Sequence, residues 1–92
     1  MQKIAIHALI SGRVQGVWFR QSTKEQADAN GVSGWVRNLP DGRVEAVLVG
    51  DANGVRLVET WLNQGPPLAT VAEVIVAALE PEQPFVGFEV RD

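Results

Sequence analysis

In this 92-residue chain, the segment Gly12-Arg13-Val14-Gln15-Gly16-Val17-Trp18-Phe19-Arg20 has the residue types and spacing to do chemistry. It falls between an alternating apolar run and a helical pattern, so it reads as a loop leading a strand into a helix N-terminus. The first backbone N–H groups of a helix have no partner within it. Together with the helix dipole they form a cradle for an anion. A nest of such groups needs a residue at positive φ, which Gly16 adopts without steric cost. Arg20, expected in the first helical turn, can fold back over the cradle and offer a bidentate fork to phosphate or carboxylate. The same residues also suit a tight loop that merely carries a surface arginine. No Lys-Ser or Lys-Thr follows the second glycine, so this is not a nucleotide P-loop, and the spacing is not a dinucleotide fingerprint.

Other chemistries are limited by what the chain lacks. It has no cysteine, which excludes disulfides, thiolate nucleophiles and cysteine-ligated metal sites. Its one histidine, His7, sits mid-strand on the less apolar face, far in sequence from the loop, and reads as structural. No metal ligand set, Ser-His-Asp arrangement or carboxylate pair stands near the loop, so no metal dependence is expected.

The elements that must position the loop follow from periodicity. Over 3–11, Ile4, Ile6, Ala8 and Ile10 share one face while Lys3, His7 and Ser11 take the other, which predicts a strand. Phe19, Thr23 and Ala27 recur every four residues and predict a helix over 18–30, stopped at Asn30-Gly31. Two strands, 33–39 and 43–50, are joined at Leu39-Pro40-Asp41-Gly42, whose Pro then Asp-Gly signals a hairpin. A second helix is predicted over 53–64. Val55, Val58, Trp61 and Leu62 form its apolar stripe, Asp51 or Asn53 caps its start, and Gly65-Pro66-Pro67 ends it. A strand over 71–79, a loop bracketed by Pro81 and Pro84, and a short final strand through Val86, Phe88 and Val90 complete the order.

The order βαββαβ plus a terminal β predicts an α+β, ferredoxin-like sandwich. Two helices lie on one face of a mostly antiparallel sheet, with a short extra C-terminal strand. Right-handed crossovers make the first two strands parallel, with the third inserted between them. Their ends then share one sheet edge, so the loop and Asn38 are expected roughly 10 Å apart at ~4.8 Å per strand. A ligand and one long side chain can span that distance.

Length, composition and charge set the remaining bounds. Residues 1–92 suffice for one domain, and 46% apolar with 21% charged residues is ordinary for a soluble globular protein. No apolar run approaches the ~20 residues of a bilayer crossing. Met1-Gln2-Lys3 leads into alternation rather than a continuous apolar stretch, so no signal peptide is expected and the location reads as cytoplasmic. No exposed apolar stripe argues against a monomer. The net charge of −3 opposes general nucleic-acid binding. Yet residues 13–43 hold five cations against three acids, leaving three cations against eight acids elsewhere. A local cationic region on an acidic chain suits a small anionic ligand, or arises by chance clustering of solvated side chains.

With these residues in view, the chain resembles the acylphosphatase family. Gly12 to Arg20 is similar to its Gly-x-Val-Gln-Gly-Val-x-Phe-Arg signature. Gly34-Trp35-Val36-Arg37-Asn38, followed by Asp41-Gly42-x-Val44-Glu45, is similar to its second signature at the expected separation. Trp61-Leu62 before Gly65-Pro66, and Gly87-Phe88-Glu89-Val90-Arg91, fit the later half more loosely. Trp18 occupies a variable position. The resemblance implies hydrolysis of acyl phosphates, the mixed anhydrides of a carboxylic and a phosphoric acid, with no metal or cofactor. By the same resemblance, the phosphate sits on Gln15, Gly16, Val17, Trp18, Phe19 and Arg20, with Arg20 binding it beside the loop amides. Asn38 positions the attacking water. Taken alone, Asn38 reads as a strand-end turn residue.

Such residues suffice for this reaction. An acyl phosphate expels a carboxylate, whose conjugate acid has a pKa near ~4, so no general acid is needed. Attack on phosphorus through a loose transition state asks little of a base. Positioning and stabilisation of negative charge remain, and Arg20, the loop amides and an amide side chain can provide both. The alternative from the binding class is a non-catalytic anion-binding or regulatory module on the same fold. A single-stranded RNA platform shares the βαββαβ order but needs exposed aromatics on the central strands, where this chain offers His7, Glu45, Val47 and Val49. Trp18, Trp35 and Trp61 read as packing residues, with Trp18 also able to line a pocket mouth. Arg37 and Arg43 read as solvated, or as steering an anionic substrate. Glu80, Glu82, Glu89 and Asp92 read as a solvating surface.

Overall fold

Alternation at the start of the chain builds an interior strand, β1 (Lys3–Arg13), of the computed structural model, which describes residues 2–80 and 86–92. Then follow α1 (Phe19–Ala29), β2 (Ser33–Asn38), β3 (Val44–Asp51), α2 (Ala52–Leu62), β4 (Thr70–Leu79) and β5 (Phe88–Arg91). The sheet order is β4-β1-β3-β2-β5. β3 lies antiparallel between β1 and β2, so those two run parallel as expected. β5 adds to the free edge of β2 in parallel and makes the sheet mixed. The expected loop at Pro81 and Pro84, with Glu82, lies outside the described residues.

The apolar face of β1 carries Ile6, Ala8 and Ile10 into one cluster with Val44, Ala46 and Leu48 of β3 and Val36 of β2. Phe19 and Ala27 from α1 and Val55, Val58 and Leu62 from α2 complete it, so both helices cover the same sheet face. Thr23, the buried polar residue on the α1 stripe, donates its hydroxyl back to the Phe19 carbonyl at 2.7 Å and leaves no unmet polar group. On the helix-free face Ala5, Val47 and Val49 are shielded by Trp35 and Leu79.

Four local expectations change. β1 runs through Gly12 to Arg13, because a register shift lets Ser11 pair with Glu73 and Gly12 with Val71. Helix α1 is one residue shorter at each end than its periodicity suggested, with Trp18 and Asn30 flanking it. Helix α2 starts at Ala52 and ends at Leu62, and Asp51 makes no side-chain cap, since it still belongs to β3. The backbone N–H of Ala52 instead donates to the Gln2 carbonyl at 2.8 Å. Val86 lies outside β5 and is exposed.

Gly34 sets how closely β2 approaches β3. It sits at φ +132°, and a Cβ there would lie 1.9 Å from the Val47 carbonyl oxygen. Gly34→Ala is therefore expected to lower stability by about 3 kcal/mol, from backbone strain plus the forced separation of two strands. The urea midpoint should fall with an unchanged slope. A midpoint within error of the parent would show that this pairing can slide.

The topology brings two chain segments to one edge. Val44, the first residue of β3, pairs with Ile10 of β1 on one side and with Asn38 of β2 on the other. Asn38 thus stands roughly two strand spacings, about 10 Å, from Ile10 of β1.

Candidate active site

The loop from Val14 to Trp18 leaves β1 and turns into α1. Val14, Val17 and Phe19 are buried in the core, while Gly16 and Trp18 between them face outward. This alternation pins the loop without side-chain ligands of its own. Gly16 at φ 75° and Trp18 at φ 66°, ψ 22° are both left-handed, the curvature that gathers successive N–H groups into a concavity. The helical ladder of α1 opens with the Ser22 N–H donating to the Trp18 carbonyl at 3.0 Å. The N–H groups before Ser22 have no acceptor within the helix. No side chain caps this N-terminus, and no acidic residue stands in its first turn. A helix end of this kind is suited to an external anion.

A cleft of about 490 Å³ opens over it, lined by Gly16, Trp18, Arg20 and Asn38 together with Val90 and Asp92. The structure thus brings Arg20 and Asn38 together with the outward-facing loop residues. A second, slightly larger cleft of about 570 Å³ lies beside α1 at Trp61, Gln64 and Pro66. It contains neither Arg20 nor Asn38, so chemistry and not volume selects the site.

Each of the singled-out residues has a distinct setting. Arg20 donates from Nη1 to the Arg91 carbonyl at 3.0 Å and lies 3.7 Å from the Asp92 carboxylate. The C-terminal strand therefore holds the guanidinium at the cleft, and its other N–H groups remain for a ligand. Asn38 buries its Oδ1 without a hydrogen-bond partner. A buried amide oxygen left unpaired costs about 1–3 kcal/mol, and Asn38 keeps this arrangement while its side chain lines the cleft. Gln15 turns its side chain away from the cleft. Its Nε2 donates to the Leu39 carbonyl at 2.8 Å and to the Arg43 carbonyl at 2.9 Å. Gln15 thereby ties the loop to the hairpin that follows Asn38, and only its backbone remains for a ligand. For the buried Val17 and Phe19, too, only the backbone remains available.

The hairpin is built as the Pro-Asp-Gly pattern suggests, with the Leu39 N–H donating to the Arg43 carbonyl at 2.8 Å. Arg43 is not simply solvated. Its backbone N–H and Nε both bind Asp41, at 3.0 and 2.8 Å, and these contacts, the backbone one foremost, hold the Asp41 carboxyl below its usual range. Arg37 is likewise engaged, on the helix-free face away from the cleft. Its Nε donates to Glu45 at 2.6 Å, and its guanidinium lies 5.3 Å over the Trp35 ring. His7 meets the other Glu45 oxygen at 2.8 Å, in keeping with its structural reading. Burial pushes the Glu45 carboxyl up, but the His7 and Arg37 hydrogen bonds outweigh it and keep the group below its usual value. Trp61 packs against Phe19 with ring centroids 5.6 Å apart, as expected of a packing residue. Trp18 does not pack: it is 75% exposed at the cleft mouth. Among the described residues, no cluster of three or more His, Asp or Glu side chains could hold a metal ion.

Fold and site together define a ferredoxin-like sandwich with a cleft over the uncapped start of α1 at one sheet edge. Residues 6–90 match the family model described as acylphosphatase. The chain is 58% identical over 87 residues to an acylphosphatase of Nitrosococcus oceani, covering 94% of this chain and 96% of that one. It superimposes on the acylphosphatase structure from Coxiella burnetii with a TM-score of 0.91 at 38% identity, over 97% of this chain and 93% of the other. The acylphosphatase from Bacillus subtilis gives 0.93 at 29% identity, over 97% and 99%. The chain belongs to the acylphosphatase family, and its activity is the hydrolysis of acyl phosphates.

The contact that sequence reasoning missed is the one from Arg20 to the last strand. The residues are 71 apart in sequence, and no local pattern announces their meeting. Alternation at Phe88 and Val90 signals the strand but not the edge it joins.

Proposed function

We propose that this chain cleaves the carboxyl–phosphate bond with the phosphoryl group seated on the backbone of residues 14–20 and on Arg20. Asn38 positions the attacking water, and no metal takes part. The observation that carries this reading is the single cleft that Arg20 and Asn38 line together over the uncapped start of α1.

The loop N–H groups and the arginine fork neutralise the equatorial phosphoryl oxygens before reaction, so little reorganisation is left for the transition state. The Asn38 side-chain amide hydrogen-bonds the water and aims its lone pair at phosphorus, which removes orientational freedom from the attacking molecule. The departing carboxylate leaves as a stable anion, and a phosphoryl oxygen takes the water's proton. No side chain must change protonation state. Carboxylate and inorganic phosphate are the products.

We also expect the enzyme to act on this small molecule as a cytoplasmic monomer without nucleic acid. The net charge of −3 and the state of the helix-free face support that expectation: Glu45 stands between His7 and Arg37, and two arginines cover the Trp35 ring.

The test measures phosphate release from a simple acyl phosphate, with and without EDTA. Equal rates are expected. An alkyl phosphate monoester should react more slowly by a further factor of about 10²–10⁴, the contribution of the general acid this site lacks. Strong dependence on added magnesium, or comparable cleavage of the monoester, would overturn the mechanism.

A further inference from the structure

We propose that Trp18 is a platform for the acyl group and makes the enzyme selective for acyl phosphates with a planar aromatic acyl moiety. This rests on the phosphate-binding reading of the 14–20 loop. Among the described residues Trp18 alone is non-glycine with positive φ, at 66°. The turn into α1 demands that backbone conformation, but it does not demand an indole. Glycine or asparagine would occupy it at lower cost, since a left-handed conformation presses a bulky Cβ toward the following carbonyl oxygen.

Packing gives no return for that cost. Trp18 is 75% exposed, whereas Trp61 packs against Phe19 and Trp35 is covered by Arg37 and Arg91. Stability therefore does not account for a tryptophan here, while its place in the cleft does. It lines the same space as Gly16, Arg20 and Asn38, and Val90, 36% exposed, adds a second apolar side chain there. With the phosphoryl group on the loop, the acyl group must leave the cleft toward solvent, where these two side chains stand. An aromatic acyl group can lie against the indole in offset or edge-to-face contact. The methyl of an acetyl group offers no such surface.

Such contact acts on bound substrate and transition state alike, so it lowers KM and leaves kcat to the phosphoryl machinery. The experiment compares benzoyl phosphate with acetyl phosphate in the parent enzyme, in Trp18→Asn, which tolerates the left-handed backbone, and in Trp18→Phe, which keeps a ring. Inhibition by inorganic phosphate is followed in each. The parent should show the lower KM for benzoyl phosphate. Trp18→Asn should shrink that KM preference about tenfold through the benzoyl KM, and Trp18→Phe should keep most of it. The thermal midpoint of Trp18→Asn should equal or exceed that of the parent.

A parent without preference, or a preference retained in Trp18→Asn, would overturn the platform. So would a phosphate inhibition constant that rises in step with the benzoyl KM, because the loss would then belong to the loop backbone. Absence of phosphate inhibition in the parent would instead count against the phosphate-binding reading, and the KM ratio would still decide the platform. If Trp18→Asn fails to fold, Trp18→Leu, apolar but not planar, makes the same comparison, and a benzoyl preference retained in it would overturn the platform.

Discussion

Replacement of Arg20 by glutamine is expected to reduce turnover by at least about 10²-fold and to remove inhibition by inorganic phosphate, with the fold retained. Removing one preorganised donor aimed at developing charge costs about 10²–10³ in rate, and a charged bidentate donor should cost no less. The ground state suffers too, because the same fork holds the phosphate before reaction. The structural cost is small by comparison. Arg20 gives up one hydrogen bond to the Arg91 carbonyl, and its ion pair with the fully exposed Asp92 carboxylate is solvent-screened. A thermal unfolding scan run beside the kinetics separates the two effects. Arg20→Lys should also fail, since an ammonium cannot donate to the Arg91 carbonyl and present a planar fork to phosphate at once. An Arg20→Gln enzyme with near-parental turnover would refute the assignment.

Asn38→Ala should show a different pattern: kcat falls by orders of magnitude while the inhibition constant for phosphate changes little. Water orientation matters only on the way to the transition state, whereas the cradle is filled in the ground state as well. The structure adds a stability expectation. Because Asn38 Oδ1 makes no hydrogen bond within the fold, its loss should cost little, and the variant should unfold close to the parent. Loss of phosphate inhibition as severe as in Arg20→Gln would make Asn38 a phosphate ligand or a prop for the loop. The second possibility has a physical route, because Gln15 links the loop to Leu39, the residue after Asn38. Parental kcat in Asn38→Ala would mean that another group positions the water.

Much of this enzyme was legible in its residues because the signals are local. Alternation at Ile4, Ile6, Ala8 and Ile10 and the four-residue recurrence of Phe19, Thr23 and Ala27 give each element its buried face. Pro40-Asp41-Gly42 builds a hairpin from its own dihedral preferences. Handedness then places the ends of β1 and β2 at one edge, so the meeting of the loop with Asn38 follows from topology. Element ends were less legible. Asp51 can cap a helix by type, but it is held by β3, and strand pairing wins over the cap.

The sequence by itself determined the order of elements, their inward faces, the loop that leads β1 into α1, and the two residues on which the chemistry is expected to turn. The tertiary structure alone decided that β5 pairs in parallel beside β2 and puts the Arg91 carbonyl on Arg20. It alone turned Gln15 away from the cleft toward two hairpin carbonyls, left Asn38 Oδ1 without a donor, and put Trp18 in a left-handed turn with its ring exposed. The physical reason is range. Periodicity and turn chemistry act across a few residues and are written in residue type. Which sheet edge is free, which carbonyls lie within reach and which polar atom goes unpaired are settled only when distant segments pack together.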